Sequence, residues 1–98
     1  MMLTKKEKNQ LKKAATNLKP VVLIGKDGIT QNVIQSIQQV IKKQELIKIS
    51  ILKTYSGLEK EELAELLASV TSSEVVFIIG RTIILYKKNK EINAYGTN

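Results

Sequence analysis

Neither cysteine nor histidine occurs anywhere in this chain. Without cysteine there is no disulfide framework, thiolate nucleophile or zinc–thiolate site. Without histidine the commonest general base and the commonest transition-metal ligand are missing, along with every Ser-His or Cys-His pair. The carboxylates do not fill that gap: five of the nine, Glu59, Glu61, Glu62, Glu65 and Glu74, fall on one helical segment or just beyond it, and no metal-ligand spacing appears. Glu45, Asp27 and Tyr55 are the remaining acid–base candidates. The expectation is a protein that is not an enzyme, with no cofactor, no metal and no small-molecule substrate. Aromatic residues are scarce too, with one Phe, three Tyr and no Trp. No aromatic pair sits in a strand as in an RNA-recognition motif, so base stacking on aromatic rings does not dominate any nucleic-acid contact. No apolar run approaches the ~20 residues that span a bilayer, and Met1 to Lys13 has lysines but no apolar core of a signal peptide. A cytoplasmic location and no membrane partner are the corresponding expectations.

Charge of one sign dominates what is present. The chain carries +7 with 16 basic against 9 acidic residues, which favours a polyanionic partner. Its distribution is uneven: residues 1–53 carry +8, residues 54–80 carry −4, and residues 81–98 carry +3. The basic surface belongs to the two ends, and the acidic middle segment is expected to face away from a polyanion.

Apolar content of 43% in 98 residues supports one compact domain and is too little for two. Thr4 and Glu7 form a capping box for a first helix over about residues 5–18, with Leu11, Ala14, Ala15 and Leu18 as its apolar stripe and Pro20 as its stop. Lys5, Lys6, Lys8, Lys12 and Lys13 lie on the opposite side, either as a solvated face or as a binding face. Val21 to Ile24 reads as a short buried strand. Thr30 caps a second helix with Val33, Ile34, Ile37, Val40 and Ile41 on its apolar face, and Lys42 and Lys43 suit its C-terminal dipole. A second strand covers about 46–52. Ser56 and Glu59 propose another capping box, for a helix over about 58–70 whose core face is Leu63, Leu66, Leu67 and Val70. Val75 to Ile79 and Ile83 to Tyr86 close the domain as a hairpin through Gly80-Arg81. Phe77 is assigned to the core and Tyr86 to the sheet margin. The predicted fold is α/β, in the order helix-strand-helix-strand-helix-strand-strand, with a four-stranded mixed sheet packed by helices. Residues from about 4 to 88 are expected to be ordered and 89–98 to form a flexible tail, with Tyr95 unassigned.

Between the first strand and the second helix stands Gly25-Lys26-Asp27-Gly28. Two glycines permit a sharp turn and a close backbone approach to a ligand, the following helix start offers N–H groups to an anion, and Lys26 adds a positive charge. An ordinary turn through Asp27-Gly28 is the alternative.

Three segments in this order, LKPVVLIGKDGIT at 18–30, ELIKI at 45–49 and IIGRTIILYK at 78–87, resemble the CRM domain (chloroplast RNA splicing and ribosome maturation) in its stand-alone bacterial, YhbY-like form. The resemblance runs from about Thr4 to Lys88. It implies a fold similar to the C-terminal domain of bacterial translation initiation factor three, RNA binding through a KH-like Gly-x-x-Gly loop, and association with large-subunit ribosomal precursors. The family loop matches Gly25, Lys26, Asp27 and Gly28, and the family hairpin matches Gly80, Arg81 and Thr82. The chain departs from the family pattern at Asn17 and Gln44, where histidine is usual, and at Lys87, where arginine is usual. These changes remove a titratable charge and a planar phosphate-gripping fork.

The leading expectation is therefore a monomeric, non-catalytic protein that binds structured ribosomal RNA during assembly of the large subunit. Lys12, Lys13, Lys19 and Lys26 would neutralise phosphates, the Gly25–Gly28 backbone would orient one sugar-phosphate segment, and Arg81 and Lys87 would extend the surface. The rival is an adaptor whose basic face meets an acidic protein or an anionic membrane surface. Against the membrane version, the apolar stripe of the first helix holds two alanines rather than the bulky residues of an interfacial helix.

Overall fold

The computed structural model describes residues 3–89. Along the chain the elements are α1 (Lys5–Ala15), β1 (Pro20–Ile24), α2 (Gln31–Gln44), β2 (Leu46–Ile51), α3 (Lys60–Thr71), β3 (Glu74–Ile79) and β4 (Thr82–Tyr86). The strands form one mixed sheet in the order β1-β2-β4-β3, with β1 parallel to β2 and the other two pairings antiparallel. Pro20 opens β1 at the sheet edge, a position where its missing N–H interrupts no central ladder.

Alternation in β2 sets the layers. Ile47, Ile49 and Ile51 join a core with α2 and α3 that also takes in Val22, Ile24, Ile83 and Leu85. Leu46, Ile84 and Tyr86 point the other way and pack with Leu3, Leu11 and Ala15 of the α1 region. The sheet is thus covered by α2 and α3 on one face and by α1 on part of the other. A register shift between Val75 and Phe77 acts as a bulge, so that Val76 and Phe77 both face the α1 layer while Val75 and Ile78 face the first core.

The first capping box forms as read: Glu7 N donates to Thr4 Oγ1 at 3.1 Å, and Thr4 N donates to Glu7 Oε1 at 2.9 Å. Helix α1 ends at Ala15, however, short of Leu18, because the chain must turn through Thr16 and Asn17 to reach a strand that begins at Pro20 itself. Ala14, within α1, is exposed, because the buried face of the helix is Leu11 and Ala15. Thr30 caps α2 through a 3.1 Å bond from Val33 N. The second proposed capping box does not form: Glu59 is the N-cap of α3 and makes no side-chain cap bond. On α3 the buried face is Leu63, Ala64, Leu67, Ala68 and Thr71, while Leu66 and Val70 are exposed. Tyr86 is fully buried rather than marginal, since α1 and Leu3 cover the end of β4. Phe77 is only half-buried, against the α1 core.

Gly80, at φ +57, supplies the first turn residue of the β3–β4 hairpin, and Arg81 follows with negative φ, the pattern of a two-residue type II′ connection. Asn89, expected to begin the frayed tail, is held instead: its N donates to Glu45 Oε2 at 2.7 Å and its Nδ2 to Lys42 O at 2.8 Å. Tyr95 and the rest of the expected tail lie outside the described residues. No helix among the described residues is long and apolar enough to cross a membrane.

Candidate nucleic-acid interface

Parallel pairing of β1 with β2 brings both of their C-terminal ends to one end of the sheet, and the antiparallel β4 begins there. The loop after β1, the loop after β2 and the Gly80-Arg81 turn are therefore neighbours. Helices α2 and α3 also start at this end, where Lys60 Nζ donates to Gly80 O at 3.3 Å. The positive end of the α2 dipole faces this region, whereas the start of α3 carries Glu59, Glu61 and Glu62 against its own dipole.

The glycine loop is a tight turn closed by Gly28 N donating to Gly25 O at 3.0 Å, with Lys26 and Asp27 exposed at its tip. Gly28 has φ +66, a region that L side chains enter at a cost of about 1–2 kcal/mol. At Gly25 the constraint is space: a Cβ there would lie 3.2 Å from both Leu52 Cδ1 and Thr54 Oγ1. Leu52 N in turn donates to Ile24 O at 2.8 Å, tying the loop to the segment after β2. Tyr55, one of the three acid–base candidates of the sequence, packs against the first core and lies beside Gly28, so it acts as a wall between the two loops. Asp27 does not cap α2, because Thr30 holds that position. A groove of about 190 Å³ runs beside the loop between Leu23, Thr30 and Val33.

Arg81 sits at the same end and is partly committed. Its Nε donates to Ile51 O at 3.0 Å and its Nη2 to Leu52 O at 2.8 Å, while Ile51 N donates to Arg81 O at 2.7 Å. These bonds fix the guanidinium across the end of β2 and leave its other N–H groups for a ligand oxygen.

The remaining candidates do not converge on one spot. Lys12 and Lys13 stand exposed on the last turn of α1, with Lys12 Nζ 4.3 Å from the centroid of the Phe77 ring. Lys19 is exposed just before β1. Lys87 lies at the opposite end of the sheet from the glycine loop, where its N donates to Glu45 O at 2.8 Å and its Nζ reaches Thr71 O at 3.5 Å. Gln44, another departure from the family pattern, ends α2 at that same far end, and Asn17 lies in the α1–β1 turn. None of the three departures touches the glycine loop.

Two lysines were not singled out from the sequence. Lys53 follows β2 directly and is exposed at the glycine-loop end. Lys48 lies on the α1 face of β2, with its Nζ donating to Thr16 O at 3.3 Å. The available signal was the parallel strand pair itself, which places whatever follows β2 beside whatever follows β1. Among the described residues no group of three or more Asp, Glu, His or Cys is arranged to hold a metal ion.

Comparison with known proteins bears on the family and the fold. The probable RNA-binding protein YqeI of Bacillus subtilis is 40% identical over 90 residues, covering 92% of this chain and 93% of that protein. The probable RNA-binding protein MJ0652 of Methanocaldococcus jannaschii is 36% identical over 94 residues, covering 95% of this chain and 69% of that one. The solution structure of SAV1595 from Staphylococcus aureus, described as a hypothetical protein and candidate RNA binder, superposes with a TM-score of 0.75 at 43% identity, covering 92% of this chain and 96% of that one. The CRS1/YhbY (CRM) domain model matches residues 3–87, and with those residues spanning every element described above, the chain belongs to the CRM domain family.

Proposed function

We propose that this protein is a non-catalytic binder of structured RNA that acts in assembly of the large ribosomal subunit as a cytoplasmic monomer. The observation that carries this reading is the convergence, at one end of the sheet, of the glycine turn, the start of α2 and the cations Lys26, Lys53 and Arg81. A phosphate set against the Gly25–Gly28 backbone faces the positive end of α2 and has Lys26 as a mobile counter-charge. The relatives' description as probable RNA-binding proteins supports RNA as the polyanion. Scarce aromatics leave backbone and shape as the main source of selectivity.

The test is a titration of the purified protein against large-subunit ribosomal RNA, unrelated RNA and duplex DNA at several salt concentrations, repeated with Lys26→Asp. The reading predicts preference for the ribosomal RNA, affinity that falls steeply with salt, and a loss of about tenfold or more in the variant, equivalent to about 1.4 kcal/mol. Equal weak binding to all three, unchanged by the substitution, would reduce the loop to a turn and the positive charge to a solubilising one.

A further inference from the structure

Helix α1 covers only part of its face of the sheet. Beyond it, at the glycine-loop end, one residue from every strand is aligned in register on the side that no other element among the described residues covers: Leu23 pairs with Ser50, Ser50 with Thr82, and Thr82 with Ile79. All four alternate with residues of the α2–α3 core, so all four face away from it. Leu23 is 57% exposed and Ile79 47% exposed, and the two hydroxyl residues between them are half-buried. The result is a strip three strand spacings wide, about 14 Å, with aliphatic ends and a hydroxyl centre.

Charge identifies the occupant. Lys48 stands on the same face two residues before Ser50, with its Nζ at the C-terminal end of α1, Lys26 follows Leu23 by three positions, and Lys12 on that face lies over Phe77, two residues before Ile79. Four of the carboxylates, Glu59, Glu61, Glu62 and Glu65, are on or at the start of α3, which packs on the other face of the sheet. A surface that is aliphatic at its ends, hydroxylic at its centre and bordered by cations fits unstacked bases and riboses whose phosphates run along the lysines.

We propose that this strip holds a short unpaired segment of RNA, continuous with the phosphate held at the glycine loop; this rests on the RNA-binding reading above. Bases pack on Leu23 and Ile79, and the Ser50 and Thr82 hydroxyls bond to base edges or 2′-hydroxyls. A perfect duplex, whose bases are stacked inside, cannot use the strip and binds through its phosphates alone.

The experiment compares a short unpaired RNA oligonucleotide with the same strand in a perfect RNA duplex, using wild type, the neutral double variant Leu23→Ser/Ile79→Ser, the control Leu66→Ser on α3, and Lys26→Asp. Because none of the altered side chains belongs to the buried core, thermal unfolding is expected to show every variant folded. The proposal predicts tighter wild-type binding to the unpaired strand, a loss of about tenfold for that strand alone in the double variant, no effect of Leu66→Ser, and weaker binding of both ligands by Lys26→Asp. Equal wild-type binding of both ligands with no effect of the double variant overturns the strip while leaving RNA binding at the loop intact. A wild-type dimer that the double variant converts to monomer, seen by sedimentation, also overturns it, by assigning the strip to a second copy of the chain. Wild type that binds neither ligand fails the RNA reading itself.

Discussion

At the scale of single residues, two left-handed positions lead to opposite predictions. Gly28 (φ +66) must stay glycine or carry strain. Gly28→Ala is expected to cost about 1 kcal/mol, lowering Tm by about 4–8 °C in a domain of this size, and to weaken RNA binding beyond what the stability loss explains. Ser72 ends α3 at φ 53 with an exposed side chain. Ser72→Gly relieves about 1–2 kcal/mol of left-handed strain against about 0.5–1 kcal/mol of added chain entropy, so the net is a stabilisation of about 0.5–1 kcal/mol, measurable as a rise in denaturant midpoint without a change in slope. Arg81 ties the hairpin to β2 through two carbonyls. Arg81→Lys cannot reproduce that planar fork, and is expected to lower stability by about 1–2 kcal/mol. A denaturation midpoint equal to wild type would show that these bonds contribute nothing net.

At the scale of elements, what the sequence disclosed depended on whether the signal was local. The Thr4–Glu7 box, the Thr30 cap and the Gly80 turn each involve residues within four positions, and each forms as read. Ser56 and Glu59 have the same spacing as Thr4 and Glu7 yet make no box, because the helix start is displaced to Lys60 and Glu59 itself becomes the cap. The buried face of α3 departs from the reading for a different reason: it is centred on Leu63, Ala64, Leu67, Ala68 and Thr71, so two alanines take core positions and Leu66 and Val70 fall outside. Truncation should expose this contrast. Leu67→Ala is expected to cost about 2–5 kcal/mol as a core cavity, while Leu66→Ala, at 41% exposure, should change stability by less than about 1 kcal/mol; comparable losses in the two would contradict the assigned face.

At the scale of the whole molecule, the candidate site exists only because of topology. The glycine motif was visible in the chain, as were Lys26 and Arg81, but Lys53 becomes a candidate through the parallel run of β1 and β2 and Lys48 through its place on the α1 face of β2. The same topology removes Lys87 from the glycine-loop end. It also separates charge across the sheet, with α1 and Lys48 on one face and the glutamates of α3 on the other, as the uneven charge along the sequence led one to expect. A polyanion should therefore dock on the loop end and the α1 face and avoid α3.

The most direct test is an NMR titration of isotopically labelled protein with a fragment of large-subunit ribosomal RNA, following every backbone amide. The account predicts that shifts concentrate at residues 12–16, 23–33, 48–55 and 79–82, with the body of α3 and the Lys87 end unmoved, and that they collapse as salt is raised. Shifts centred on α3 or on Lys42, Lys43 and Lys87, with the glycine loop silent, would contradict it.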